Sequence, residues 1–207
     1  MRLPPRRTLA IIAAAVAAVL LLGLGGWLWT SAQQQRGMAA YAVTLARARQ
    51  VESPEAGTEA RMQAIRGLEG VLGEYPSNIM APQAAYALGN LRFAAREYDK
   101  ARAAYQVTIA RAGNATLDTL ARAGIGYAWE AERKFSAAIQ AYQAALADLK
   151  PSGFYYEELL MDLARAQEAD GKTTEAIATY RRIIKDLPKT PRSDDIRNRL
   201  ASLGAAP

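Results

Sequence analysis

The chain of 207 residues contains no cysteine and no histidine. Without cysteine there is no disulfide, no thiolate nucleophile, no thiolate metal ligand and no lipid-modified N-terminal cysteine. Without histidine the commonest acid/base group and metal ligand is also missing. Phenylalanine is scarce, at three residues, while alanine is abundant and the nine prolines fall between periodic segments. Strands favour β-branched and aromatic residues and helices favour alanine, so an all-α fold is expected. The chain also lacks a glycine-rich phosphate loop, a Gly-x-Ser-x-Gly elbow and an Asp-x-Asp cluster. Its carboxylate pairs, Glu130 with Glu132, Glu157 with Glu158 and Asp194 with Asp195, are neighbours or next-neighbours that point to different sides of a helix and do not converge on a substrate. No enzymatic activity, cofactor, metal or small-molecule substrate is expected.

One long hydrophobic run is present. From Leu9 to Trp29 no residue is charged, and a helix of that length spans roughly 30 Å, enough to cross a bilayer. Arg2, Arg6 and Arg7 precede it in a basic stub at residues 1–8, and Trp27 and Trp29 stand where an interfacial aromatic belt would lie. The positive-inside rule then keeps the N-terminus cytoplasmic and sends everything after Thr30 across the membrane. A cleaved signal peptide is the competing reading, since Thr30-Ser31-Ala32 offers small residues at the end of the run. Removing the three stub arginines from the 26 basic residues leaves 23 against 20 acidic, about +3, which is no nucleic-acid footprint.

Beyond the run the sequence repeats itself. Leu88-Gly89 is followed by Ala101-x3-Tyr105, Ile125-Gly126 by Ala138-x3-Tyr142, and Leu163-Ala164 by Ala176-x3-Tyr180. Gly89 to Gly126 is 37 residues and Gly126 to Ala164 is 38. Upstream, Ala64-x3-Leu68 stands as far from Pro76 as Ala176-x3-Tyr180 does from Pro188. Turn residues at "YPSN" 75–78, "RAGNAT" 111–116, "LKPSG" 149–153 and "LPKTPRSD" 187–194 separate the units, and Asp170-Gly171 ends a helix by the usual C-terminal glycine rule.

This pattern resembles the tetratricopeptide repeat, which runs Trp-x2-Leu-Gly-x2-Tyr, then Ala-x3-Phe, then Pro over about 34 residues. The Trp position holds Ala85, Arg122 and Leu160 here, and the first Tyr position holds Arg92, Trp129 and Gln167. The resemblance implies a right-handed α-solenoid of helical hairpins over residues 57–190. About three to four repeats would follow one transmembrane helix (9–29) and a juxtamembrane helix and loop (30–56). Small residues at Gly89, Gly126 and Ala164 would face Ala101, Ala138 and Ala176, with the three tyrosines filling the space between hairpins. Tyr41 and Leu45 would pack on Ile65 and Leu68 as a degenerate first pair. Residues 191–207 would form a capping helix and tail, with Ser193 as its N-cap and Asp194 and Asp195 in its first turn.

In this family the first helix of each pair lines the concave surface. Carried over by position, that implies a peptide- or protein-binding face at Gln83, Tyr86, Asn90, Phe93, Tyr127, Glu130, Met161, Arg165 and Glu168. The family's carboxylate clamp matches only at Asn90, with Tyr127 and Arg165 standing at the later clamp positions, so no clamp is expected. The whole layout is similar to that of the ancillary subunit of the SecYEG translocon. The resemblance implies a chaperone-like accessory at the translocon exit, anchored in the bacterial inner membrane with the repeat domain in the periplasm. A structural or assembly component of another envelope complex, in secretion, pilus formation, outer-membrane assembly or cell division, is the alternative.

Overall fold

The computed structural model describes residues 6–51, 53 and 56–205, with side chains from residue 15 onward. Arg2 and the start of the basic stub, Glu52, Pro54 and Glu55 of the first loop, and the last two residues lie outside the described residues, as do the side chains of Arg6, Arg7 and the start of the apolar run.

Among the described residues the secondary structure is entirely helical. Helix α1 (Arg6–Gln50) is unbroken, so the apolar run and the juxtamembrane segment form one rod. It is long and apolar enough to cross a membrane, and the rest of the protein covers none of its apolar stretch. There follow α2 (Thr58–Glu74), α3 (Ala81–Ala94), α4 (Tyr98–Arg111), α5 (Ala115–Ala131), α6 (Phe135–Leu146), α7 (Tyr156–Ala169), α8 (Thr173–Asp186) and α9 (Ser193–Ser202). Each helix packs chiefly on its neighbours in sequence, and α3 also touches α1 and α5, so the chain is a succession of antiparallel pairs.

The turns inside three pairs are copies of one another. At each, the helix ends with a 6→1 backbone bond (Glu97 N to Arg92 O, Lys134 N to Trp129 O, Lys172 N to Gln167 O) and a 5→2 bond one residue earlier, the signature of a Schellman cap. The residue that closes the cap adopts positive φ: 61° at Arg96, 60° at Arg133 and 75° at Gly171. Only Gly171 is the residue type that favours this geometry; Arg96 and Arg133 hold it at a steric cost.

Starts are marked less uniformly. Asn114 caps α5 by accepting from Leu117 N at 2.8 Å. The expected cap at Ser193 is corrected: Ser193 is the first helical residue, Arg192 holds the cap position, and no side chain caps α9. Thr190 Oγ1 instead accepts from Arg192 N and donates to Glu157, fixing the preceding turn.

The packing also revises the small-against-small expectation. A Cβ on Gly89 would lie 2.5 Å from the ring of Tyr105, and one on Gly126 would lie 2.3 Å from the ring of Tyr142. The glycines therefore receive tyrosine rings from the partner helix. Tyr105 is held from both sides, because a Cβ on Gly124 of α5 would come within 2.6 Å of it. At the start of the stack Tyr41, Leu45 and Ala48 of α1 join Ile65, Leu68 and Val71 of α2 in one buried cluster. At its end Ile196 and Leu200 of α9 are fully buried against the α7–α8 core, which stabilises that end by about 1.5–3 kcal/mol for each side chain.

A candidate protein-binding pocket

Four of the nine expected surface residues converge. Tyr86, Asn90 and Phe93 from one face of α3 and Tyr127 from α5 line a cavity of about 230 Å³, floored by Tyr105 and Gly124 and bounded by Leu120, Ala123 and Tyr155. The spacing of 86, 90 and 93 places three α3 side chains on one helical stripe. Gly124 lets the Tyr105 ring lie between α3 and α5, where it meets Tyr86 at 5.8 Å between centroids.

The wall is fixed by hydroxyl bonds. Tyr105 Oη donates to Asn90 Oδ1 at 2.9 Å. Tyr127 Oη donates to Asp162 Oδ2 at 2.5 Å, which leaves Tyr155 Oη as the donor in the 2.8 Å contact between the two phenols. Burial, and then the hydrogen bond to Asp162, pushes the Tyr127 phenol far above its ordinary range, so it stays a donor at any physiological pH. Burial likewise raises the Asp162 carboxyl, against the opposing effects of Tyr127 and Arg165. The cavity falls below the roughly 300–1,000 Å³ of small-molecule sites and suits a single large side chain of a bound protein, the kind of anchor that dominates interfaces.

Glu130, Arg165 and Glu168 do a different job. Glu130 accepts from Tyr142 Oη at 2.7 Å and takes Arg165 in a bidentate pair at 2.9 and 3.1 Å. Glu168 accepts from Tyr180 Oη at 2.7 Å and from Arg199 Nε at 2.9 Å. Each clasp joins a carboxylate on a first helix, a tyrosine on its partner and an arginine on the next helix in the stack, α7 for Arg165 and α9 for Arg199. Burial, with the Glu168 carboxylate beside it, pushes the Tyr180 phenol up to about 12. Glu130 and Arg165 thus hold two pairs together, and Glu168 holds the last pair to α9. Met161 packs against the core of the C-terminal half. Gln83 is exposed, in a separate groove beside the 76–79 loop.

Sequence reasoning missed Phe154 and Tyr155. Tyr155 sits at φ 72°, a costly geometry for a bulky residue, and this turns its ring into the pocket. Phe154 stacks on it at 5.7 Å between centroids and remains 65% exposed. The signal was three consecutive aromatics, Phe154-Tyr155-Tyr156, directly after the helix-breaking Pro151-Ser152-Gly153. Among the described residues no cluster of three carboxylates could hold a metal ion.

Helical pairs in series, each locking a tyrosine into its neighbour and one presenting an aromatic pocket, define a TPR-like helical protein. The tetratricopeptide repeat-like domain family matches residues 7–205, and the chain belongs to that family. No curated protein matches it.

Proposed function

We propose that the protein is a non-enzymatic, membrane-anchored protein-interaction scaffold, a right-handed solenoid that binds an extended peptide or partner helix by seating one apolar side chain in the Tyr86/Phe93/Tyr127 pocket. The observation that carries this reading is the convergence of five aromatic side chains, Tyr86, Phe93, Tyr105, Tyr127 and Tyr155, on a cavity of single-side-chain size beside an exposed Phe154. Aromatic residues are enriched in protein interfaces, and a rigid, pre-formed pocket lowers the cost of binding. The apolar length of α1, together with the arginines before it, supports an inner-membrane anchor with the domain in the periplasm. That layout supports a chaperone-like accessory role at the Sec translocon.

The test is photocrosslinking from benzoylphenylalanine at Phe154, in membranes with the full chain, followed by mass spectrometry. Phe154 is chosen because its exposure leaves the pocket's hydroxyl network intact. Adducts dominated by translocon subunits and many exported proteins are expected. A single recurrent envelope protein would replace the translocon reading with that of a component of another envelope complex. The absence of any protein adduct would refute the pocket as an interaction site.

A further inference from the structure

Ile79 is 78% exposed, the most exposed large apolar side chain among the described residues, the apolar stretch of α1 included. It stands in the loop between α2 and α3, and that loop is fastened to α1. Gln34 Nε2 donates to Ser77 O at 3.2 Å, Asn78 Nδ2 donates to Gln34 O at 3.1 Å and to Gln34 Oε1 at 3.0 Å, and Tyr41 Oη donates to Tyr75 O at 3.0 Å. Gly37 makes the approach feasible, since a Cβ there would lie 2.7 Å from Asn78 Nδ2. The fastening point has a known height along the helix. Gln34 is five residues beyond Trp29, the end of the apolar run, a rise of about 7.5 Å. The headgroup layer on one side of a bilayer is roughly 5–8 Å thick.

We infer that the edge of the stack bearing the 75–80 loop rests on the bilayer surface, with Ile79 inserted among the lipid headgroups. This rests on reading α1 as a membrane span. The neighbouring loop shares the edge, because Arg111 Nη1 at the end of α4 donates to Pro76 O at 2.8 Å. Between the two loops lies a groove of about 880 Å³, lined by Ile79, Pro82 and Leu117 with Arg111 at its side. Arg36, exposed one helical turn above Ala32 on α1, adds positive charge near the level of the lipid phosphates. An isolated apolar side chain beside a basic rim and a membrane helix matches the chemistry of interfacial insertion. The opposite edge, where the Schellman turns lie, is reached only after a full helix length and faces away.

The cysteine-free chain permits a direct test. Single substitutions Val19→Cys, Ile79→Cys, Thr116→Cys and Asp99→Cys are labelled with an environment-sensitive fluorophore in the full chain. The proteins are reconstituted into vesicles of phosphatidylethanolamine and phosphatidylglycerol carrying nitroxide lipids, in parallel samples with the nitroxide near the end of the acyl chain, to read Val19, and just below the headgroup, to read the other three positions. Expected are strong quenching at Val19, quenching at Ile79 of at least about half that at Val19 for insertion to interfacial depth, clear quenching at Thr116, and none at Asp99 on the far edge. In an Ile79→Asp background the Thr116 signal should fall to the Asp99 level. Quenching at Val19 without quenching at Ile79 would overturn the inference and leave the anchor standing. No quenching at Val19 would defeat the anchor reading and the inference with it. Shielding of Ile79 from an aqueous quencher without lipid quenching would assign the edge to a second copy of the chain, and unchanged Thr116 quenching in the Ile79→Asp protein would also refute insertion.

Discussion

Substitution Gly126→Ala adds one methyl group where no space exists. The new Cβ would stand 2.3 Å from Tyr142 Cε1 and 2.6 Å from Cδ1, so the ring must retreat by about 1 Å to reach ordinary carbon contact. It has little freedom to do so, being fully buried, bonded through its hydroxyl to Glu130 at 2.7 Å and in edge contact with Tyr127 at 5.7 Å. Overpacking of this kind costs about 1–3 kcal/mol. Weakening a hydrogen bond to a carboxylate adds about 1–2 kcal/mol, and replacing a mid-helix glycine returns about 1 kcal/mol. The expected net loss is about 2 kcal/mol, or a fall of roughly 4–8 °C in Tm for a domain of this size. Gly70→Ala and Gly73→Ala on α2 provide the matched control, because a Cβ at either meets nothing within 4 Å. They should raise stability by about 0.5–1 kcal/mol through helix propensity alone. Thermal melting of the full chain in detergent micelles, followed by far-UV circular dichroism, reads all three. A Tyr142→Leu background should relieve the clash and reduce the cost of Gly126→Ala by at least about 1 kcal/mol. Ala164 occupies the corresponding place in α7 and is fully buried. If the Tyr142 ring could relax to make similar room, Gly126→Ala would melt at or above the wild-type temperature, and the steric reasoning would be refuted.

The Schellman turns predict opposite signs at equivalent positions. Arg96→Gly should stabilise by about 0.5–1 kcal/mol and Gly171→Ala should destabilise by about 1 kcal/mol, both read from urea midpoints; equal effects would contradict the shared geometry. In acid, the hydrogen bond from Arg92 holds the Glu97 carboxyl below its ordinary value, and Tyr156 followed by Arg182 does the same for Asp186. Their contribution is complete above the ordinary carboxylate pKa and is lost as the pH falls through the lowered folded value. The urea midpoint should therefore drop between about pH 6 and about pH 3, with a shallower drop in Glu97→Gln; a slope unchanged by that variant would remove Glu97 from the account. Arg165→Met strips the ion pairs from Glu130 and from Asp162, whose side chain is 3% exposed. It should cost about 1–2 kcal/mol, against less than about 0.5 kcal/mol for Arg122→Met, whose Asp118 partner lies on the same helix. Similar losses from the two variants would mean that the clasp between pairs contributes nothing special.

The helices and their pairing were legible because steric need is written in residue type. A tyrosine that must enter a neighbouring helix leaves a glycine or alanine at a fixed offset, so Gly89, Gly126 and Ala164 kept phase with Tyr105, Tyr142 and Tyr180. Which atoms met was less legible: spacing revealed a close approach without showing that the ring, not the alanine, occupied it. The clasp of Glu130 with Arg165 joins residues 35 positions apart, and its closure depends on how one pair is set against the next, which no local pattern records. Arg96 and Arg133 hid their turns because arginine does not signal positive φ, whereas Gly171 does. Phe154 and Tyr155 were hidden because an irregular loop takes its path from tertiary contacts, and only the tyrosine's strained backbone shows that the path is imposed.

The way α1 joins the stack bears on how the pocket meets a partner. A domain on a flexible tether samples every orientation above the bilayer, and its encounters with membrane-bound partners are set by linker length. Here the helix continues without a break through Gln50, and its first bonds to the domain come at Gln34, before the helix has risen more than about 8 Å from the apolar run. The orientation of the pairs is therefore inherited from the helix. The pocket, displaced sideways from α1 by the α2–α3 packing, keeps a fixed position and direction relative to α1. With α1 read as a membrane anchor, as proposed above, such an arrangement would favour partners held in the same membrane over those that require the domain to tumble. Gly37 carries this geometry: by leaving room for Tyr75 and Asn78 it allows the long N-terminal helix α1 to serve as the first helix of the stack, as Gly89 and Gly126 allow tyrosines to lock the later pairs.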